Sequence, residues 1–209
     1  MSDISIEKLF IVFLLGLFTR FQSQELQNKM IPKIDNKFEK FDIKTFNENI
    51  NSDESFILLK SADGIQQLQK QSYGFINRLF YKENQFVLIK KFYNNYNLKE
   101  KGLLFNEGSP IGIWYYFDES GKLIKEENTD EGYRFTPEKI VKYCEKNKIE
   151  LPKGYHESGF YTRVRKDVLN GKKVWIIEYL IPDGDIQKVV LDGQSGAELE
   201  RKMVQFVSS

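Results

Sequence analysis

The feature that most constrains this chain is a self-similarity at an offset of 25 residues. FYNNYNLK, starting at Phe92, lies over FDESGKLI, starting at Phe117. Phe92 aligns with Phe117, one polar turn with the other, and Leu98 with Leu123. A strand ending in an aromatic, a tight turn and a strand opening on Leu is a β-hairpin pattern. One hairpin is marginal in water, so neighbours have to lie side by side to bury their aromatic faces. A long helix is excluded between them, because Gly102, Gly108, Pro110, Gly112 and Gly121 break every helical window.

Strand-length apolar runs continue on both sides of the repeat. They include SFILLKS (55–61), YGFINRLF (73–80), QFVLIKKFY (85–93), LKEKGLLF (98–105), IGIWYYF (111–117) and KLIKEE (122–127). Asp63-Gly64 is a hairpin signal, since both residues tolerate positive φ, and it favours a returning strand over 65–71. Short turns between close strands predict an antiparallel meander. The 17 Phe and 11 Tyr fit it, because bulky rings pack well on a pleated surface.

The pattern changes after Asp130. Thr136 before Pro137 is an N-cap followed by Pro at the first helical position, and Glu138 suits the positive end of the helix dipole. Ile140, Val141, Cys144 and Lys148 share a face of a helix predicted over 136–148. Three strand runs follow, GFYTRVRKDV, KKVWIIEYLI and DIQKVVLDG, divided by Asn170-Gly171 and by Pro182-Asp183-Gly184. The expected fold is α+β and mainly β: a meander of hairpins over 55–128, then a helix with a three-stranded antiparallel sheet over 132–205. The polar segment 25–54 reads as an arm, a short helix or extended chain, anchored by Phe38, Phe41 and Phe46.

The segment GSPIGIWYYFDESGKL, from Gly108 to Leu123, resembles a MORN repeat of the bacterial antitoxin- or immunity-like kind. The first unit departs from that pattern at Tyr96, which stands where the family has its turn Gly, a position that asks for positive φ. The resemblance covers about 40 residues and implies stacked hairpins and a binding habit, with no chemistry attached. The C-terminal unit is similar to a PepSY domain in its helix and in the turn VVLDGQSGAEL from Val189 to Leu199. That similarity implies an extracytoplasmic, non-catalytic module, in some cases a restrainer of peptidases.

Residues 9–18 (LFIVFLLGLF) are ten uncharged residues, too few to span a bilayer and of the length of a signal-peptide core. Cleavage near Ser23 or Gln24 is the expectation, which makes 1–24 a signal peptide and leaves an exported chain with no stable membrane span. A buried N-terminal helix or strand is the alternative. The formal net charge of +1 excludes a strongly basic nucleic-acid footprint. One Cys and one His leave little for a zinc centre, and no cofactor is implied.

His156, in the loop GYHESG, is a candidate general base for a hydrolase, beside the plainer reading of a solvated loop His. Cys144 reads as a buried small hydrophobe, and DGQSG at 192–196 as a hairpin turn with neither EF-hand nor P-loop spacing. In IGIWYYF, Ile111, Ile113, Tyr115 and Phe117 point one way and Gly112, Trp114 and Tyr116 the other. One side is core; the other is covered by the arm or is an aromatic contact surface. Trp114, Tyr116, Tyr115 and Phe117 are therefore the candidate binding residues, with a protein as partner. The sequence reading is a non-enzymatic exported binding module; an envelope structural protein or a PepSY-like peptidase inhibitor are its alternatives.

Overall fold

The computed structural model describes residues 31–157 and 159–204. The expected signal segment 1–24 and residues 25–30 of the arm lie outside the described residues. From Ile34 onward the chain forms one unit.

Seven strands run in strict sequence order: β1 (Phe56–Lys60), β2 (Gly64–Gln71), β3 (Gly74–Tyr81), β4 (Phe86–Phe92), β5 (Leu98–Phe105), β6 (Pro110–Phe117) and β7 (Leu123–Asn128). Every neighbour pair is antiparallel. The segment 64–71, ambiguous in sequence, is a strand returning from the Asp63-Gly64 turn.

The 25-residue offset is a real geometric repeat. Tyr93 N–H donates to Asn97 O (2.9 Å) and Tyr96 N–H to Tyr93 O (3.0 Å). One repeat later, Asp118 N–H donates to Lys122 O (3.0 Å) and Gly121 N–H to Asp118 O (2.9 Å). The register shifts where each aromatic meets its Leu, at Phe92↔Leu98 and at Phe117↔Leu123. Tyr96 does take the left-handed conformation of its counterpart Gly121, at φ 68 against 90. Its ring packs on Phe75, with centroids 5.3 Å apart, which offsets part of the backbone cost.

Residues before β1 cover one face of this sheet. Extended chain from Asp35 leads into α1 (Ile43–Asn49), capped by Asp42, whose carboxylate accepts from the Thr45 N–H at 3.0 Å. Phe41 and Phe46 join Ile57, Leu68, Phe75, Phe92, Leu98 and Phe117 in one buried cluster. Both sequence options for the arm are therefore realised in turn, extended first and helical second.

The second layer comprises α2 (Pro137–Lys146) and β8 (Arg163–Leu169), β9 (Lys172–Leu180), β10 (Ile186–Asp192) and β11 (Glu198–Val204), in sheet order β11-β10-β9-β8. The expected three-stranded sheet is thus four-stranded. Helix α2 is shorter than expected. Thr136 stands at the N-cap, but its hydroxyl makes no cap bond, because its own carbonyl takes the Lys139 N–H at 2.9 Å. At the other end Lys148 leaves the helix at φ 57; its N–H goes to Glu145 O and that of Ile149 to Cys144 O. This is a helix-ending motif normally built on Gly. Lys148 therefore does not share the helix face with Ile140, Val141 and Cys144.

The two sheets meet at the β5–β6 turn. Gly108 and Val164 form a parallel bridge, with Ser109 N–H to Val164 O at 2.9 Å and Val164 N–H to Glu107 O at 3.0 Å. A Cβ at Gly108 would overlap the Val164 carbonyl, so only Gly permits this approach. Behind the bridge, Trp175 is fully buried against Phe105 and Tyr133, and its indole N–H donates to Phe135 O at 2.8 Å.

Candidate functional site

The four candidate residues of β6 divide between the two faces of the seven-stranded sheet, as alternation along a strand demands. Phe117 is buried (2% exposed) in the arm-covered cluster, and Tyr115 packs against that cluster. Trp114 and Tyr116 belong to a separate cluster with Ile76, Ile89 and Leu104 on the opposite face.

Trp114 is itself only 5% exposed. It lies flat across Gly102 of the neighbouring strand, where a Cβ would overlap the indole, and its N–H donates to Leu103 O at 3.1 Å. The register slips between Lys101 and Leu103, which makes room for the ring. Tyr116 is half-buried. Its hydroxyl donates to Glu127 at 2.8 Å, and the Lys125 ammonium stands 5.0 Å from its ring centroid. Burial and the Glu127 bond push the Tyr116 hydroxyl up to about 12, so it is a donor at any physiological pH. Around this cluster Arg78 spans Gln67 and Gln69 (3.1 Å to each), Lys91 pairs with Glu100 at 2.6 Å, and Lys125 pairs with Glu127 at 2.8 Å. The face is thus a small aliphatic–aromatic patch with a rim of both charges. Phe56 and Leu58, exposed on β1, extend it toward the sheet edge.

The opposite face holds what the sequence did not reveal. Lys101 of β5 is 1% exposed, and three acceptors surround its ammonium: Asp35 Oδ1 at 3.0 Å, Lys37 O at 2.7 Å and Glu39 Oε1 at 2.8 Å. Glu39 also holds Lys90 of β4. The Lys101 ammonium bond draws the Asp35 carboxyl below its usual range. Burial pushes Glu39 up, but the bonds from Lys101 and Lys90 outweigh it and the net shift is downward. One signal was present in the sequence: alternation puts Lys101 on the side of Leu103 and Phe105, a cation in a core-facing register.

His156 lies in a cleft of about 1000 Å³ beside α2, also lined by Cys144, Lys148, Phe160, Tyr161 and Tyr179. Its ring sits on Tyr161, with centroids 3.7 Å apart. Its Nε2 has no hydrogen-bond partner and stands 3.7 Å from Glu107 Oε1. Cys144 is fully buried, and burial pushes its thiol up to about 12, away from the thiolate a nucleophile requires. The turn that begins at Asp192 is an Asx turn: Asp192 Oδ1 accepts from the Gln194 and Ser195 amides and from the Ser195 hydroxyl. Among the described residues, no group of three or more His, Cys, Asp and Glu side chains is placed to hold a metal ion. Nor is any described helix long and apolar enough to cross a membrane. No family model matches the chain, and neither a curated protein nor a solved structure matches it.

Proposed function

We propose that this chain is a non-enzymatic, exported protein-binding module of the MORN-like, immunity- or antitoxin-like kind, with a PepSY-like C-terminal unit, and that it meets its partner through the Trp114–Tyr116 face. One observation carries this reading: among the described residues the Ile76–Ile89–Trp114 cluster is built from strands of the sheet alone and is rimmed by paired charges of both signs. An aromatic anchor inside a charged rim is the composition that concentrates binding energy. Trp114 acts by shaping the face. Tyr116, Phe56 and Leu58 offer the accessible contacts, and Arg78, Lys91 and Lys125 select the partner's charge pattern.

The test is co-expression with the product of the neighbouring reading frame, followed by affinity capture. Tyr116→Ala combined with Lys125→Glu is expected to weaken capture about ten-fold or more while the circular dichroism spectrum stays native. Capture untouched by that pair removes this face from the proposal. Export is tested separately by N-terminal sequencing of protein from its native host; an intact Met1 in a cytoplasmic fraction ends that part.

A further inference from the structure

The arm sits in its groove as a peptide sits on a receptor. Among the described residues one β-bridge, Lys40↔Asn97, joins it to the sheet, flanked by Phe41 N–H to Tyr96 O (2.8 Å) and Leu98 N–H to Glu39 O (3.1 Å). Side chains supply the rest. Lys101 reads Asp35, the Lys37 carbonyl and Glu39, three positions spaced two apart, and Lys90 reads Glu39 again. Phe38 meets Phe117 edge-on at 6.2 Å and lies over Gly121, where a Cβ would come within 2.6 Å of its ring. Phe41 stacks on Phe75 at 4.5 Å and meets Phe92 edge-on at 5.3 Å. The groove thus recognises an extended acidic–aromatic segment by sequence: DNKFEKF, from Asp35 to Phe41.

We propose that this groove also accepts the same segment from a second copy of the chain, so that two copies exchange arms. Two features argue for that occupant. The groove presents two lysines whose charge complement, Asp35 and Glu39 at a fixed spacing beside Phe38 and Phe41, is the chain's own arm. The link from the arm to β1 is the polar loop 51–55, in which every residue is exposed. An element held by specific contacts and joined through an exposed hinge exchanges between copies at low cost, because each copy recovers the same contacts.

The decisive experiment shortens the hinge in the full chain. Deleting 51–53 cuts the five-residue link to two, which is expected to draw the arm off its own groove while leaving it free to reach a neighbour's. Light scattering is expected to show a dimer for the deletion variant, and Lys101→Met added to the deletion is expected to return it to monomer. A folded monomer whose arm is cut by protease within 34–50 overturns the proposal. If the deletion variant does not fold, a labelled synthetic peptide of residues 34–47 decides the question. Its receptor is the full-length chain carrying Asp35→Asn and Glu39→Gln, whose own arm competes less. Saturable binding, weakened about ten-fold or more by Glu39→Gln or Phe41→Ala in the peptide, supports exchange, since each change removes a charge-assisted bond or a buried ring. No binding at millimolar peptide, the effective concentration of a tethered arm, overturns it.

Discussion

Trp114 and Gly102 form a unit in which neither residue makes sense alone. The indole can be buried on an open sheet face only because the strand beside it offers bare backbone at Gly102. Gly102→Ala is therefore expected to cost about 1–3 kcal/mol, the range for an extra methyl forced into a packed site. Urea unfolding checks the loss, and the displaced indole is expected to shift its emission to the red. A variant as stable as the parent would show that the ring is free to move aside. The sequence disclosed half of this pair. Trp114 was recognisable as a notable aromatic facing away from Phe117. That it spends its ring on covering a glycine was not, because Gly102 within the strand run 98–105 reads only as a helix breaker. Lys101 was missed for a related reason. Its partners lie 62 to 66 residues upstream, and no local pattern links a strand lysine to carboxylates at that distance.

The elements most visible in the sequence were those whose signals are local. The Asp63-Gly64 and Asn170-Gly171 turns, the two repeat hairpins and the core face of α2 all follow from residues within one turn or one strand. Strand β11 did not show itself. It runs along an edge with both faces largely exposed, so its string ELERKMV carries no buried alternation, and pairing with β10 makes it a strand. The arm lies between these cases: its aromatic anchors were readable, its ionic clasp was not. That clasp predicts how the arm responds to acid. Asp35 and Glu39 both have carboxyls held below their ordinary values in the folded chain. Such groups give their full stabilisation above the unfolded value near pH 4 and lose it as pH falls through the lower folded value. Below about pH 4 the arm therefore loses the anions that Lys90 and Lys101 hold. Amide exchange at Phe41 and Leu98, whose N–H groups bond across the arm–sheet contact, is expected to accelerate below that pH beyond its intrinsic dependence. In Lys101→Met most of this acid step is expected to vanish, with Lys90 keeping the remainder. Exchange that accelerates equally in parent and variant would mean that the clasp does not hold the arm.

At the scale of the whole molecule, two antiparallel sheets are coupled through a contact that is small and highly directional. Beside the Gly108–Val164 bridge, Lys166 of β8 reaches across to the seven-stranded sheet. Its ammonium donates to Pro110 O and Thr129 O, each at 2.8 Å, and pairs with Asp130, while the Trp175 and Tyr133 ring centroids stand 5.2 Å away. Burial lowers the Lys166 ammonium, and the Asp130 carboxylate works against that shift. Asp130 in turn accepts the Gly112 N–H at 2.9 Å, so one charge pair fixes the start of β6, the connector after β7 and the first strand of the second sheet. Removing the cation leaves Asp130 without its main partner in a largely buried site, and losses of about 3 kcal/mol are typical of a broken buried pair. Lys166→Met is expected to lose about that much and, more tellingly, to uncouple the layers. The chain's two tryptophans make this measurable, since Trp114 belongs to the seven-stranded sheet and Trp175 to the four-stranded one. With fluorotryptophan incorporated, the two fluorine resonances of the parent are expected to disappear together across a urea titration, the mark of one cooperative unit. In Lys166→Met the Trp175 resonance is expected to go first, because among the described residues the four-stranded sheet has fewer strands and a single helix beside it, whereas the meander keeps its arm. Two resonances that still vanish at one urea concentration would place the coupling in the apolar junction of Phe105, Tyr133 and Trp175 and leave Lys166 as a local fastening.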